Sequence, residues 1–336
     1  MYNPDTNTPQ PASTQDVKQL NARLVRNALR QQRCATVREL AGQTGLSTVT
    51  VGSVLKAQLE QGQVFEDEPL ASSGGRPSRR YCFNERHQLV LIAFSREVEG
   101  EDALCVRILD LYGQSVAAFD HPLLSPTPEA LEQIIAEHLA DYPAVAAIGF
   151  GLPGVEYEGA IVTLDYAAFI GVPLVARFEQ RFGLPVLFEN DVNAAVLGRG
   201  QLADAPPSEV YLYFPRKYGP GAGIRIDGEL VKGRNHFAGE LNLLPLDISW
   251  EALADAADDA FVEATAKVVL CLTAILNPDS MVLYREDFSA AGLAQIEQKC
   301  RARLPQNITP QLSLSKDFSA DYQTGLATLT LNLVLN

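Results

Sequence analysis

Residues 171–200 read GVPLVARFEQRFGLPVLFENDVNAAVLGRG. The run predicts a helix, then a short buried strand, then a polar cluster that opens a second helix. The cluster is Glu189, Asn190 and Asp191. It puts carboxylates at a strand-to-helix junction, where Asn190 and Asp191 can exchange hydrogen bonds with vicinal hydroxyls. The same residue types would equally serve as a helix N-cap, so the cluster alone leaves both uses open.

Outward from this run the pattern repeats. QLVLIAF (88–94) and LCVRILDLYGQSVAAF (104–119) read as paired strands, and PEALEQIIAEHLADY (128–142) as an amphipathic helix. VAAIGFGLPGVEYEGAIV (145–162) reads as strand, Gly-Pro-Gly turn and strand. Beyond His87 the alternation predicts an α/β body. DDAFVEATAKVVLCLTAILNPDSMVLY (258–284) predicts a long helical stretch, and TGLATLTLNLVL (324–335) closes the chain.

The segment before the body differs. Residues 1–16 are rich in Pro, Thr, Asn and Gln, and predict a disordered tail. Residues 17–86 predict a winged helix-turn-helix domain, and residues 87–336 the effector body. Leu20, Leu24, Val25, Ala28 and Leu29 repeat at helical spacing up to the polar QQRCAT. Then TVRELAGQTGLSTVTVGSVLKAQLEQGQV (36–64) predicts helix, turn, helix, with Thr36 and Ser47 as N-caps, Gly45 in the turn, and Val51, Val54, Leu55 and Leu59 buried. Thr48, Val49, Gly52, Ser53 and Lys56 are left for a DNA major groove. None of these is Arg, Asn or Gln, the side chains best suited to bidentate base contacts, so direct readout by this helix is expected to be weak.

VFEDEP and RRYCFN predict a hairpin whose loop, LASSGGRPSRR (70–80), would be the wing. Gly75, Arg76 and Pro77 suit insertion of an arginine into a narrow minor groove, with Arg79 and Arg80 on phosphates. The charge supports this division. Residues 1–88 hold 11 Lys plus Arg against 8 Asp plus Glu, whereas the remainder of this chain of net charge -14 holds 16 against 33. A stretch from Val17 to Arg38 contains six cations and no acid, a footprint for phosphate contacts or simply a solvated helix face.

Five scattered cysteines, at 34, 82, 105, 271 and 300, predict reduced thiols with neither zinc site nor disulfide framework. No secretory signal or membrane-length apolar run is evident, so the expectation is a cytoplasmic protein with no membrane partner.

GLPG (151–154), ENDVNAA (189–195) and IDGELVKGRNHFAGE (226–240), in that order, resemble the ROK family of repressors, open reading frames and sugar kinases, over roughly residues 17–335. The resemblance implies a two-lobed actin-like (ribonuclease H-like) body with a sugar cleft, and, with an N-terminal winged helix, a sugar-responsive repressor acting on a double-stranded DNA operator, often as a homodimer or homotetramer. It implies that Asp191 matches the kinases' general base and that Glu240 contacts sugar. Gly154, Asn190, Asp191 and Glu240 are thus the candidates for binding a sugar or sugar-phosphate effector.

Departures from the family pattern are equally informative. Where its kinases have an Asp and a Gly-Gly-Thr turn, this chain has SREVEGEDA, with Glu97, Glu99, Glu101 and Asp102 repelling a triphosphate. The second phosphate segment reads RKYGPGAG, with Tyr218 in place of a small hydroxyl residue and Pro220 removing an amide donor. Leu243 stands where the family has a histidine, and its cysteine-rich zinc segment is missing. His236 reads as an ordinary surface or capping residue. The expectation is a regulator with no catalytic residue, cofactor or metal. The competing readings are an ATP-dependent carbohydrate kinase and a ligand- or protein-binding scaffold without DNA binding.

Overall fold

The structure is a computed structural model that describes residues 13–67, 79–98, 101–123, 126–164, 166–216, 218–253, 258–305 and 307–335. The chain divides into two compact units after Gln88.

The first unit opens with α1 (Thr14–Gln32), capped by Ser13. Helix therefore begins inside the segment expected to be tail up to residue 16, because Ser13 and Asp16 exchange side-chain and backbone hydrogen bonds in a capping box. Residues 1–12 lie outside the described residues. β1 (Cys34–Thr36) follows, then α2 (Val37–Thr44), α3 (Thr48–Glu60), β2 (Val64–Asp67) and β3 (Arg80–Phe83). Thr36 and Glu39 form a second capping box, Gly45 closes α2 in the left-handed conformation, and Ser47 caps α3. The strands form a sheet in the order β1-β3-β2, all antiparallel.

Two features of this unit correct the sequence reading. Gln58 is buried on α3, whereas Val54 and Leu59 are only half-buried. The Gln58 amide donates to the Ala22 carbonyl at 3.1 Å, tying α3 to α1. Cys34 and Cys82, expected as separate thiols, face each other across β1 and β3 and are joined in a disulfide. The polar QQRCAT stretch had concealed β1, so nothing in the sequence placed the two sulfurs together.

The second unit holds two lobes of one topology. In the first lobe, β4 (Leu89–Val98), β5 (Glu101–Leu109) and β6 (Ser115–Pro122) form an antiparallel run. α4 (Pro128–Asp141) leads to β7 (Val145–Gly151), the hairpin β8 (Gly154–Tyr157) and β9 (Ala160–Leu164), then α5 (Leu174–Phe182) and β10 (Val186–Glu189). The sheet order is β10-β7-β4-β5-β6, with β4, β7 and β10 parallel. α6 (Asp191–Arg199) leads out of this lobe.

The second lobe repeats the plan. β11 (Glu209–Tyr213), β12 (Gly221–Ile226) and β13 (Glu229–Leu230) are antiparallel; α7 (Trp250–Leu253) and α8 (Asp258–Leu276) lead to β14 (Ser280–Tyr284), and α9 (Ala290–Arg301) to β15 (Gln311–Leu314). The order β13-β12-β11-β14-β15 again joins an antiparallel run to two parallel strands. α10 (Phe318–Leu335) ends the unit.

The period-two pattern of β4 explains the layering. Leu89, Leu91 and Ala93 pack into an outer core with α4 and α5, whereas Val90, Ile92 and Phe94 pack into an inner core with α6 and α10. Tyr211 and Val282 of the second lobe join that inner core, so α6 and α10 lie between the two sheets. They cross through Gly198 and Gly325. A Cβ on Gly198 would strike the Asp321 carbonyl, and one on Gly325 the Ala194 carbonyl.

Gly325→Ala is therefore expected to destabilise the protein by about 1–3 kcal/mol through overpacking against backbone. Gly42→Ala, at an exposed helical position where a Cβ meets nothing within 4 Å, should be stabilising by about 0.5–1 kcal/mol. Thermal denaturation of both variants checks the contrast.

Candidate functional site

The C-terminal ends of β4, β7, β10, β11 and β14 point toward one cavity of about 740 Å³, the expected location for a ligand in an open parallel sheet. Gly154, Asn190, Asp191 and Glu240 all line it. The four sequence candidates, drawn from three separate motifs, thus converge.

Their roles differ. The Asn190 side chain accepts from the backbone N–H groups of Val192 and Asn193, at 3.0 and 3.1 Å, and its amide donates to the Gly154 carbonyl at 3.3 Å. Asn190 is the N-cap of α6, and its oxygen is committed to that helix. Asp191, in the first turn, is 8% exposed, and its Oδ1 accepts from the Val192 N–H at 2.9 Å. A helix N-terminus stabilises a carboxylate there. Glu240 borders the cavity from the other lobe and is held by a bridge to Gly221.

Sequence reasoning missed the supports. Buried Glu189 accepts from the Asn193 amide at 3.2 Å and from the Asn190 N–H at 3.1 Å, and pairs with Lys232 Nζ at 2.7 Å. Two further polar contacts cross the cleft. Tyr218 Oη donates to Asp102 at 3.2 Å, and a His236 ring nitrogen lies 2.7 Å from the Glu156 carbonyl. Tyr218 and Asp102 both came from the segments in which the sequence departs from a phosphate cradle, and they meet. Glu97, Glu99 and Glu101 have side chains outside the described set. His236, read as an ordinary residue, lines the cavity and bridges the lobes.

Leu243 is 64% exposed and offers no metal ligand. Among the described residues, Cys34, Asp67 and Cys82 bring metal-capable atoms within 4.8 Å of one another, but both sulfurs are used in the disulfide. No helix among the described residues is long and apolar enough to cross a membrane.

In the first unit, α3 presents Thr48, Val49, Ser53 and Lys56 on its exposed face, with Gly52 half-buried beside them. Val49 is 80% exposed, unusual for an apolar residue on a helix that packs its other face. Gly75, Arg76 and Pro77 lie outside the described residues. Arg79 pairs with Glu66 at 3.0 Å, both exposed, and Arg80 donates to the Cys34 carbonyl at 3.2 Å. Both arginines therefore already have protein partners.

A duplicated five-stranded plan enclosing a polar cleft defines the actin-like class of two-lobed proteins. Residues 103–249 match the ROK family. The xylose repressor of Bacillus spizizenii is 25% identical over 243 residues, covering 69% of this chain and 62% of the repressor. The match thus spans about three fifths of that relative's length. The N-acetyl-D-glucosamine kinase of Vibrio vulnificus strain YJ016 is 36% identical over 145 residues, 41% of this chain and 46% of the kinase. Among solved structures, a ROK family transcriptional regulator described as a homolog of the E. coli MLC protein superposes with a TM-score of 0.71 at 16% identity, covering 95% of this chain and 98% of that one. That likeness shows a shared fold along nearly the whole chain.

The Glu189–Lys232 pair yields a test. Lys232→Met should be destabilising by about 1–3 kcal/mol, below the roughly 3–5 kcal/mol for breaking a fully buried pair because Lys232 is a third exposed. Combining it with Glu189→Gln should restore most of that loss, as read in a double-mutant cycle of denaturation midpoints.

Proposed function

We infer that this chain is a DNA-binding transcription regulator, a repressor in its default state, whose body senses a sugar or sugar derivative without phosphorylating it. The observation that carries the reading is the composition of the cleft. Asp191, Glu240 and Gly154 line a cavity with ample room for a sugar, while Tyr218 and Asp102 hydrogen-bond to each other where a nucleotide's phosphates would need amide donors. The repressor relative and the regulator with the same fold support this choice.

On this reading the first unit is a winged helix-turn-helix. α3 enters the major groove and contributes small side chains there, leaving specificity to groove shape, the wing and a second subunit's half-site. Arg76 supplies the minor-groove cation, and Arg79 exchanges its exposed partner Glu66 for phosphate. The acidic body keeps nucleic acid away from the rest of the molecule, so the cationic N-terminal unit sets the binding orientation. The functional form is a homodimer or homotetramer in the cytoplasm, matching paired half-sites. Effector binding alters the contacts that bridge the two lobes, and by linkage whatever the effector does to operator affinity the operator does to effector affinity.

The kinase reading has one observation in its favour, the 36% identical kinase segment, and Asp191 could act as a base toward a bound hydroxyl. Incubation with ATP, magnesium and sugar separates the two readings: turnover to a sugar phosphate would establish the kinase.

Two results are expected from the regulator. Binding to the promoter beside its own gene should weaken steeply with salt, and Arg76→Ala should cost about 1–3 kcal/mol on A·T-rich operators. Unchanged operator affinity in fluorescence anisotropy would remove the wing from the mechanism. Asp191→Asn should weaken sugar binding by roughly ten- to a hundredfold, as expected for losing a charged acceptor, with unliganded operator affinity retained. Calorimetry and anisotropy on the same variant provide both readings.

A further inference from the structure

At the floor of the cavity, in the first turns of α10, sits Tyr322. The residue is among those lining the cavity, yet it is only 1% exposed. The ring is fixed on several sides. Phe94 meets it edge-on at 5.2 Å, Phe318 packs at 5.8 Å, and the hydroxyl lies so close to Gly151 that a Cβ there would collide with it. The packing on these sides holds the ring, and with it the hydroxyl, in place.

That hydroxyl has no hydrogen-bond partner among the described residues. Burying an unpaired donor is costly, and phenylalanine would fill the same space without the cost. Burial, together with the charge of nearby Asp191, pushes the phenol well above its ordinary value, so the group keeps its proton and serves as a neutral donor.

We propose that Tyr322 and Asp191 form a donor–acceptor pair at the cavity floor that selects one hydroxyl of a polyol. The proposal rests on the sugar-sensing reading and adds how the sugar is chosen. A hydroxyl group donates its proton to the Asp191 carboxylate while its oxygen accepts from the Tyr322 phenol. An ether or carbonyl oxygen accepts but cannot donate, and an ammonium donates but cannot accept. A phosphate would bring negative charge against Asp191. If the effector is a sugar phosphate, its phosphate faces away from this floor, and an uncharged hydroxyl enters.

The discrimination follows from stranded polar groups. A sugar lacking the selected hydroxyl leaves the Tyr322 phenol buried without a partner, so rejection of the deoxy analogue exceeds the loss of one contact. Phenylalanine at 322 removes the stranded donor and relaxes that rejection.

The experiment uses the full chain with D-xylose, D-glucose and N-acetyl-D-glucosamine as probes, binding measured by calorimetry and unliganded stability by thermal denaturation. For whichever probe binds, Tyr322→Phe is expected to weaken affinity about five- to fiftyfold, to keep or raise the unliganded Tm, and to narrow the gap between that sugar and its singly deoxygenated forms. If Tyr322→Phe binds like the wild type while Asp191→Asn has lost affinity, Tyr322 only fills space: the proposal falls and the sugar reading stands. A lowered unliganded Tm with unchanged affinity would likewise overturn it, by revealing a structural partner for the hydroxyl. If none of the three sugars binds the wild type, the sensing reading fails and takes this proposal with it.

Discussion

Two helices without side chains at their crossing hold the body together. α6 and α10 meet at Gly198 and Gly325, close enough that neither position admits a methyl group, and both are buried between the two sheets. Helix axes normally stand 8–10 Å apart because side chains separate them; removing those side chains lets backbone meet backbone. The consequence reaches the cavity. α6 carries Asp191 in its first turn and α10 carries Tyr322 near its start, so the crossing fixes the separation of an acceptor and a donor that lie 131 positions apart in numbering. Displacing either helix would spoil the floor of the cleft before affecting its walls.

The walls are polar and span the lobes. Glu189–Lys232, Tyr218–Asp102 and His236–Glu156 each join one lobe to the other. These contacts differ in strength, since a buried carboxylate paired with an ammonium resists separation more than a neutral hydrogen bond does. The Glu189–Lys232 contact sits beside the α6 cap, whereas Tyr218–Asp102 and His236–Glu156 are contacts at the cavity lining.

The same arrangement separates the fold from the loops in which the sequence departs from a phosphate cradle. Phosphate binding needs free backbone amides and close approach. Here Tyr218 and Pro220 fill the loop, and the Tyr218 hydroxyl is directed at Asp102. The sheets, the helix crossing and the Asn190 cap do not depend on those positions, so changes there leave the core intact. Fold and phosphate chemistry rest on separable sets of residues.

The sequence by itself determined whatever depends on neighbours a few positions apart. Period-two alternation marked the strands, Thr36 and Ser47 marked helix starts, and the Glu-Asn-Asp cluster marked a strand-to-helix junction. The order of three motifs carried the resemblance to the family that residues 103–249 match. Contacts distant in the chain were decided only by tertiary structure. Asn190 proved committed to capping, a choice the sequence left open, because Val192 and Asn193 turn their amides toward it. Cys34 and Cys82, 48 residues apart, met because a polar stretch became a strand. Lys232 found Glu189, and Tyr322 was an unremarked letter in a closing helix until folding set its hydroxyl beneath the cavity. Local patterns are written in spacing, which a sequence displays; pairing across a core depends on how the sheets and helices stack, and no spacing along the chain encodes that directly.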